Sequence, residues 1–153
     1  MKIETFLLCD AATTEFGKLY VLGAFDTVWV DTFPATFPHC AVAARIRFDA
    51  IEKGTHTVKI NIVNQDGKSL IPPLNAPMNI GIPAGQPSIL SNIILDLQGL
   101  KFDKPEIFSV DLALENSKEA SIPLFVRKRQ INDPLVAFTA STAPFTPLNK
   151  TPM

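Results

Sequence analysis

The side chains best suited to metal or nucleophilic chemistry are two histidines, His39 and His56, and two cysteines, Cys9 and Cys40. A zinc site wants closely spaced Cys or His pairs. His39 and Cys40 are instead adjacent, which on a strand turns them to opposite faces, and His56 has no histidine at ligand spacing. Four carboxylates in the first third, Asp10, Glu15, Asp26 and Asp31, could gather at one end of a β fold around calcium. They do not follow the loop of alternating oxygens closed by a bidentate Glu, so solvated turn carboxylates are the better reading. No G-x-S-x-G elbow, Walker loop or dinucleotide glycine pattern occurs. The glycines of NIGIPAGQP sit among prolines with no helical pattern after them, which fits a loop rather than a phosphate cradle. The expectation is a chain with no catalytic residues, no metal site and no cofactor.

Charge and composition narrow the partners. Basic and acidic residues nearly cancel, 14 against 15, which favours neither nucleic acid nor an anionic membrane. The cationic run Arg127, Lys128, Arg129 is too short for a nucleic-acid patch. With 11 Phe against 1 Tyr and 1 Trp, stacking platforms for sugars or bases are scarce. No apolar run approaches the roughly 18–20 residues that cross a bilayer. The length, 153 residues, suits one domain. A hydrophobic content of 46% with mean hydropathy +0.19 points to strands covered on both faces or to burial against another subunit.

Two cysteines are too few for a disulfide scaffold. Trp29 between them loosely matches the cysteine–tryptophan–cysteine pattern of immunoglobulin domains, but the gap is too short for that inter-sheet bridge. Two buried, reduced thiols in a cytoplasmic protein are therefore expected. The stretch LLCD also raises a lipid-anchor reading of Cys9. A secretory signal needs a basic start, about 7–15 apolar residues and a small-residue cleavage site. Here Glu4 and Thr5 leave only Phe6, Leu7 and Leu8 before the cysteine, and Leu8 is too bulky for the cleavage position. The segment reads as a strand over residues 2–11 that turns at ATTEFG, with Gly17 free to take positive φ, into a second strand KLYVLG.

The elements that must position these groups follow a period of two. In FPHCAVAARIRFD, Cys40, Val42, Ala44, Ile46 and Phe48 share one face while Arg45, Arg47 and Asp49 take the other. Val58, Ile60 and Ile62 alternate with Lys59 and Asn61 before an Asp-Gly turn at residues 65–68. Ile89, Ile93, Leu95 and Leu97 mark a long strand. Phe108, Val110, Leu112 and Leu114, then Ile122, Leu124 and Val126 after the turn ENSKE, form the clearest hairpin. Two stretches break the rhythm. LIPPLNAPMNIGIPAGQP holds only short, edge-like strands because proline cannot donate to a ladder, and it reads as a crossing between sheets. At GAFD, Gly23 and Ala24 suggest a kink that lets one run continue into the opposite sheet. No segment holds a helical stripe for two turns. About nine or ten short strands spaced about ten residues apart imply an all-β, two-sheet antiparallel β-sandwich, immunoglobulin-like in general architecture.

The segments ETFLLCDAATTEFGKLYVLGAFDTVWV, FPHCAVAARIRF and LQGLKFDKPEIFSVDLALENSKEASIPLFV resemble a family of uncharacterised bacterial all-β proteins, over roughly residues 3–127. The resemblance implies a small sandwich with no assigned activity, so it carries over no functional residue. The chain departs from the family pattern at Glu106, where glycine is expected in the turn, and at Phe108, where tyrosine is usual. Loss of that hydroxyl weighs against an immunoglobulin-type tyrosine corner.

The division expected is a sandwich domain over residues 1–127 and a Pro-rich C-terminal tail or arm over residues 128–153, with Pro134, Pro144, Pro147 and Pro152. The tail also carries Leu135, Val136, Phe138 and Phe145, a candidate interface, and LVAFTAS has the character of a strand that adds to a sheet edge, in cis or on a neighbouring subunit. The leading expectation is a non-catalytic β-sandwich that acts through protein contacts, including self-association as a homo-oligomer. A small-ligand or carbohydrate-binding module is the alternative. An enzyme whose groups converge only in three dimensions comes third, because a fold class never excludes a function.

Overall fold

Period-two alternation sorts the chain into two sheets. The computed structural model describes residues 1–115 and 117–130, and among these it is all-β apart from one 3-10 turn, Ala50–Glu52. Strands β1 (Lys2–Glu15), β2 (Lys18–Phe25), β4 (Ala35–Asp49) and β7 (Ser88–Phe102) form a four-stranded sheet in the order β2-β1-β4-β7. Strands β3 (Thr27–Val30), β5 (Gly54–Asn64), β6 (Leu74–Ile80), β8 (Glu106–Leu114) and β9 (Ser117–Lys128) form a five-stranded sheet in the order β3-β9-β8-β5-β6. Pairing is antiparallel except where β3 lies parallel to β9.

The core lies between the sheets and holds no buried polar side chain among the described residues. Cys40, Val42, Ala44, Ile46 and Phe48 of β4 meet Val58, Ile60 and Ile62 of β5 and Phe108, Val110, Leu112 and Leu114 of β8, as the alternation requires. Each large apolar side chain sealed there contributes about 1.5–3 kcal/mol. The β8–β9 hairpin forms as expected, and Leu124 and Val126 are buried while Ile122 remains partly exposed at its flank. One feature of the long strands could not be seen in the alternation. Buried residues on β7 are Ile93 and Leu97 but then Leu100 and Phe102, and on β4 the even positions give way to Phe37. Both strands change face at the same level, where Gly99 takes φ 63°, and the β4–β7 register is the same on either side.

The first hairpin is longer than the sequence suggests. β1 runs to Glu15 instead of stopping at residue 11, and the turn is only Phe16 and Gly17, at φ 48° and 73°. Two consecutive positive φ values fit the two-residue turn whose twist matches its flanking strands. Thr13 and Thr14, read as turn residues, pair with Tyr20 and Leu19. The change of sheet near GAFD does occur: β2 ends at Phe25 in one sheet and β3 begins at Thr27 in the other. Gly23 has φ 67°, and a side chain there would meet the Asp10 carboxylate, its Cβ lying 2.2 Å from Oδ2.

The Pro-rich crossing also forms as expected. β6 is the edge strand from which the chain returns to the four-stranded sheet. Pro77 lies opposite Thr57, whose carbonyl accepts the Glu115 N–H on the other side. By the alternation of an antiparallel ladder, the proline nitrogen faces the open edge, where no hydrogen bond is lost. Asn64 organises the Asp-Gly turn, its Oδ1 accepting the N–H groups of Asp66 and Lys68 while Gly67 takes φ 77°.

One of the two sheets is strongly curled into a half-barrel, and contacts across the four-stranded sheet identify it as that one. Its order separates the tip of the first hairpin from β7, yet Asn92 of β7 donates to Thr14 Oγ1 and to the Gly17 carbonyl, each at 3.2 Å. Arg45 donates to the same carbonyl at 3.1 Å. Beneath this bridge Cys9, Ala41 and Ala43 are sealed from solvent, packed by Leu7, Ala12, Leu19 and Ile94. This second, small core explains part of the high apolar content: one sheet buries residues on both faces.

Candidate interaction surface

The residues first considered for chemistry stay apart. His39 is half-exposed on β4 and sits 3.3 Å from the exposed Asp96, while its neighbour Cys40 points into the core. The His56 ring packs against Phe48 at 5.2 Å. Its Nε2 lies 2.6 Å from the Glu52 carbonyl, and its Nδ1 is 3.6 Å from the exposed carboxylate of Glu115. That carboxylate also accepts the Thr57 N–H at 2.8 Å, so the arrangement fixes the start of β5. Asp10 lies over Gly23, Asp26 accepts the Thr27 hydroxyl and Asp31 faces Arg129 at 3.5 Å. Among the described residues no group of three or more His, Cys, Asp or Glu is placed to hold a metal ion.

Both thiols are free and buried. Desolvation pushes the Cys40 thiol up to about 11, and it raises Cys9 as well, helped by the charges of Asp10 and Asp96. A thiol held protonated is a poor nucleophile. Cys9 donates weakly to the Ala41 carbonyl at 3.7 Å, and its role is to fill the curl.

Two polar clusters were not legible in the sequence. At a bulge in β1, Glu4 receives Arg47 at 2.7 Å and Arg45 at 3.3 Å. The hydrogen bond from Arg47 leads in holding its carboxyl below the usual value. On the outer face of the five-stranded sheet, Asp111 Oδ1 accepts from Ser109 at 2.6 Å, Ser121 at 2.7 Å and Lys118 at 2.8 Å. Desolvation raises the Asp111 carboxyl, but hydrogen bonds from Lys118, Ser109 and Ser121 and the lysine charge outweigh it and hold it low. A carboxylate so stabilised is a weak base; chemically this cluster is a cross-strand tie between β8 and β9.

Beside that ladder the same face turns apolar and aromatic. Pairing sets Trp29 of β3 next to Arg127 of β9 and Phe125 of β9 next to Ile107 of β8, all directed away from the core. The Arg127 guanidinium lies 5.0 Å from the Phe125 ring centroid and 5.9 Å from that of Trp29. Trp29 and Ile107 are both 43% exposed. Shallow grooves run along this cluster, one bounded by Lys104, Pro105 and Glu106 and the other by Val63, Ser121 and Pro123. The hairpin of the other sheet exposes a second apolar group, Phe16, Tyr20 and Leu22. No local signal in the sequence joins Trp29 to Phe125 and Arg127; the parallel β3–β9 pairing brings them together. Leu135, Val136, Phe138 and Phe145, the interface residues expected from sequence, lie outside the described residues.

A family model described as a family of unknown function (DUF6941) matches residues 4–127. Among solved structures, a beta-glucuronidase from glycoside hydrolase family 2 matches with a TM-score of 0.34 and 16% identity. That match covers 66% of this chain and 11% of the other. No curated protein matches the chain. The chain belongs to the DUF6941 family, and the expected membership in a family of uncharacterised all-β proteins is met.

Proposed function

We propose that this family member is a non-catalytic β-sandwich that works through protein contacts, including contacts between copies of itself. The observation that carries the reading is the cluster of Trp29, Phe125, Arg127 and Ile107 on the outer face of the five-stranded sheet. Trp and Arg are enriched among the residues that dominate binding energy, and a guanidinium held between two rings presents a rigid surface. An apolar group of this kind, rimmed by Lys104, Glu106 and Asp66, has the layout of an interface centre with a polar rim. The edge strand that changes sheet at Asp26 and joins β9 in parallel supports an immunoglobulin-like reading of the sandwich. Two free, buried thiols support a reducing, cytoplasmic setting.

Light scattering across a dilution series tests the proposal. The wild-type chain is expected to gain mass with concentration, and Trp29→Ser combined with Ile107→Ser is expected to hold it as a monomer with unchanged circular dichroism. A wild-type chain that stays monomeric throughout, and whose Tm rises instead with one small molecule or sugar, would move the assignment to a ligand-binding module.

A further inference from the structure

The face that carries the proposed contact is charged as well as apolar, and its charges are of both signs. The groove of about 430 Å³ beside Ile107 is lined by two cations, Lys104 and Arg127, and by two carboxylates, Asp66 and Glu106. β8 runs between its banks: Ile107 pairs with Phe125 of β9 on one side, and Phe108 pairs with Asn64 of β5 on the other. Arg127 therefore stands on the β9 bank, and Asp66, in the turn after β5, on the opposite bank at the same end of the sheet. These two groups are uncommitted. Arg129 is paired with Asp31 at 3.5 Å, but Arg127 lies against the Trp29 and Phe125 rings with no acidic partner among the described residues. Glu106 accepts from the Asn64 side-chain amide at 2.9 Å. Asp66 is held to Asn64 by its backbone N–H, and its carboxylate has no partner among the described residues.

We infer that a second copy of this chain seats face to face on this groove, about a two-fold axis parallel to β8, so that Arg127 of each copy donates to Asp66 of the other. This rests on the contact face proposed above and adds its partner and the residues that select it. Charge favours this occupant. A groove with equal numbers of cations and carboxylates suits neither a strongly acidic nor a strongly basic partner, and it complements itself once its banks are exchanged. An axis along β8 makes that exchange, laying β9 of each copy over β5 of the other, with the two Ile107 side chains meeting at the axis. It also keeps the strands of the facing sheets aligned, as sheets packed face to face commonly are. An axis across the strands would turn Arg127 toward the far end of the face, where Asp111 already accepts three hydrogen bonds. A guanidinium stacked on two rings is held in place beforehand, so it gives up little freedom when a carboxylate arrives. Two-fold symmetry forms the pair twice.

Charge reversal at each end tests the pair, with association followed by light scattering and native mass spectrometry. Arg127→Glu and Asp66→Arg, taken separately, set like charges opposite one another, and each is expected to weaken association at least about tenfold. An equimolar mixture of the two variants is expected to recover association as a heterodimer, because both pairs are then of opposite sign. Arg127→Glu combined in one chain with Glu119→Arg, an exposed position outside the groove, keeps the wild-type net charge and is expected to stay weak. A mixture no tighter than its components, in a protein whose association Trp29→Ser with Ile107→Ser does abolish, overturns this inference and leaves the contact face standing. Equal recovery by the charge-matched variant also overturns it, since net charge alone would then account for the gain. A wild type that stays monomeric, or that associates regardless of Trp29→Ser with Ile107→Ser, overturns the contact face and the Arg127–Asp66 pair together.

Discussion

Ala41 and Ala43 on β4 and Ser109 and Asp111 on β8 occupy comparable places, each directed away from the central core of its sheet. The first pair is sealed from solvent and the second is partly exposed. The difference comes from curvature. The four-stranded sheet folds its hairpin tip over β4 and ties it to Asn92 and Arg45, so small side chains fill a concave outer face. The five-stranded sheet keeps its outer face open, with a polar ladder along β8 and β9 and the aromatic group at the β3 side. Outward positions in one sheet therefore serve packing, and in the other they remain available for contact. Cys9, the residue that suggested a lipid anchor, belongs to the packing side.

Substitutions can break or sharpen that contrast. The largest effect is expected where both sheets share a residue: Phe48→Ala in the central core should cost about 3–5 kcal/mol by urea melts. Next, Ala43→Leu overfills the curl and should cost about 1–3 kcal/mol, whereas Ser109→Leu on the open face should change stability far less. Equal losses at both positions would contradict the asymmetry. Gly23→Ala should cost about 1–2 kcal/mol, because it puts a side chain at positive φ against Asp10.

The smallest effects are electrostatic. The Asp111 carboxyl is held below its ordinary value of 3.8 in the folded protein. The unfolded state therefore binds more protons in that range. The stabilisation is complete above the ordinary value and is lost as pH falls through the lowered one. Asp111→Asn should remove less than about 1 kcal/mol at neutral pH and should flatten the acid limb of Tm against pH. The thiols give a further check on the packed face. Ellman's reagent should find neither Cys9 nor Cys40 in the folded protein at pH 8 and both in denaturant. Rapid labelling of Cys9 in the native state would open the curl.

Strand type and core face were legible because alternation is local. Val42 through Phe48, Val58 through Ile62 and Phe108 through Leu114 announce their buried side without reference to any partner. The extension of the first hairpin was not, since Thr13 and Thr14 suit turns and strands alike and only their pairing with Tyr20 and Leu19 decides. The curl was hidden for a similar reason: Ala41 and Ala43 look like neutral solvent-face residues until the first hairpin, tied by its tip to Asn92, closes over them with Ala12 and Leu19. The aromatic contact face depends on the parallel pairing of residues 27–30 with residues 125–128, 98 positions apart in the sequence. A single sequence carries no local mark of such a pairing.

Trp29 is the chain's only tryptophan and sits in the proposed contact face, so its fluorescence reports that face directly. Acrylamide quenching measured from dilute to concentrated protein, with mass recorded on the same samples, tests the central claim. The account predicts a red-shifted, readily quenched Trp29 in dilute solution that becomes blue-shifted and protected as mass increases. Mass that rises while Trp29 stays equally open to quencher would place the contact elsewhere on the molecule and contradict the account.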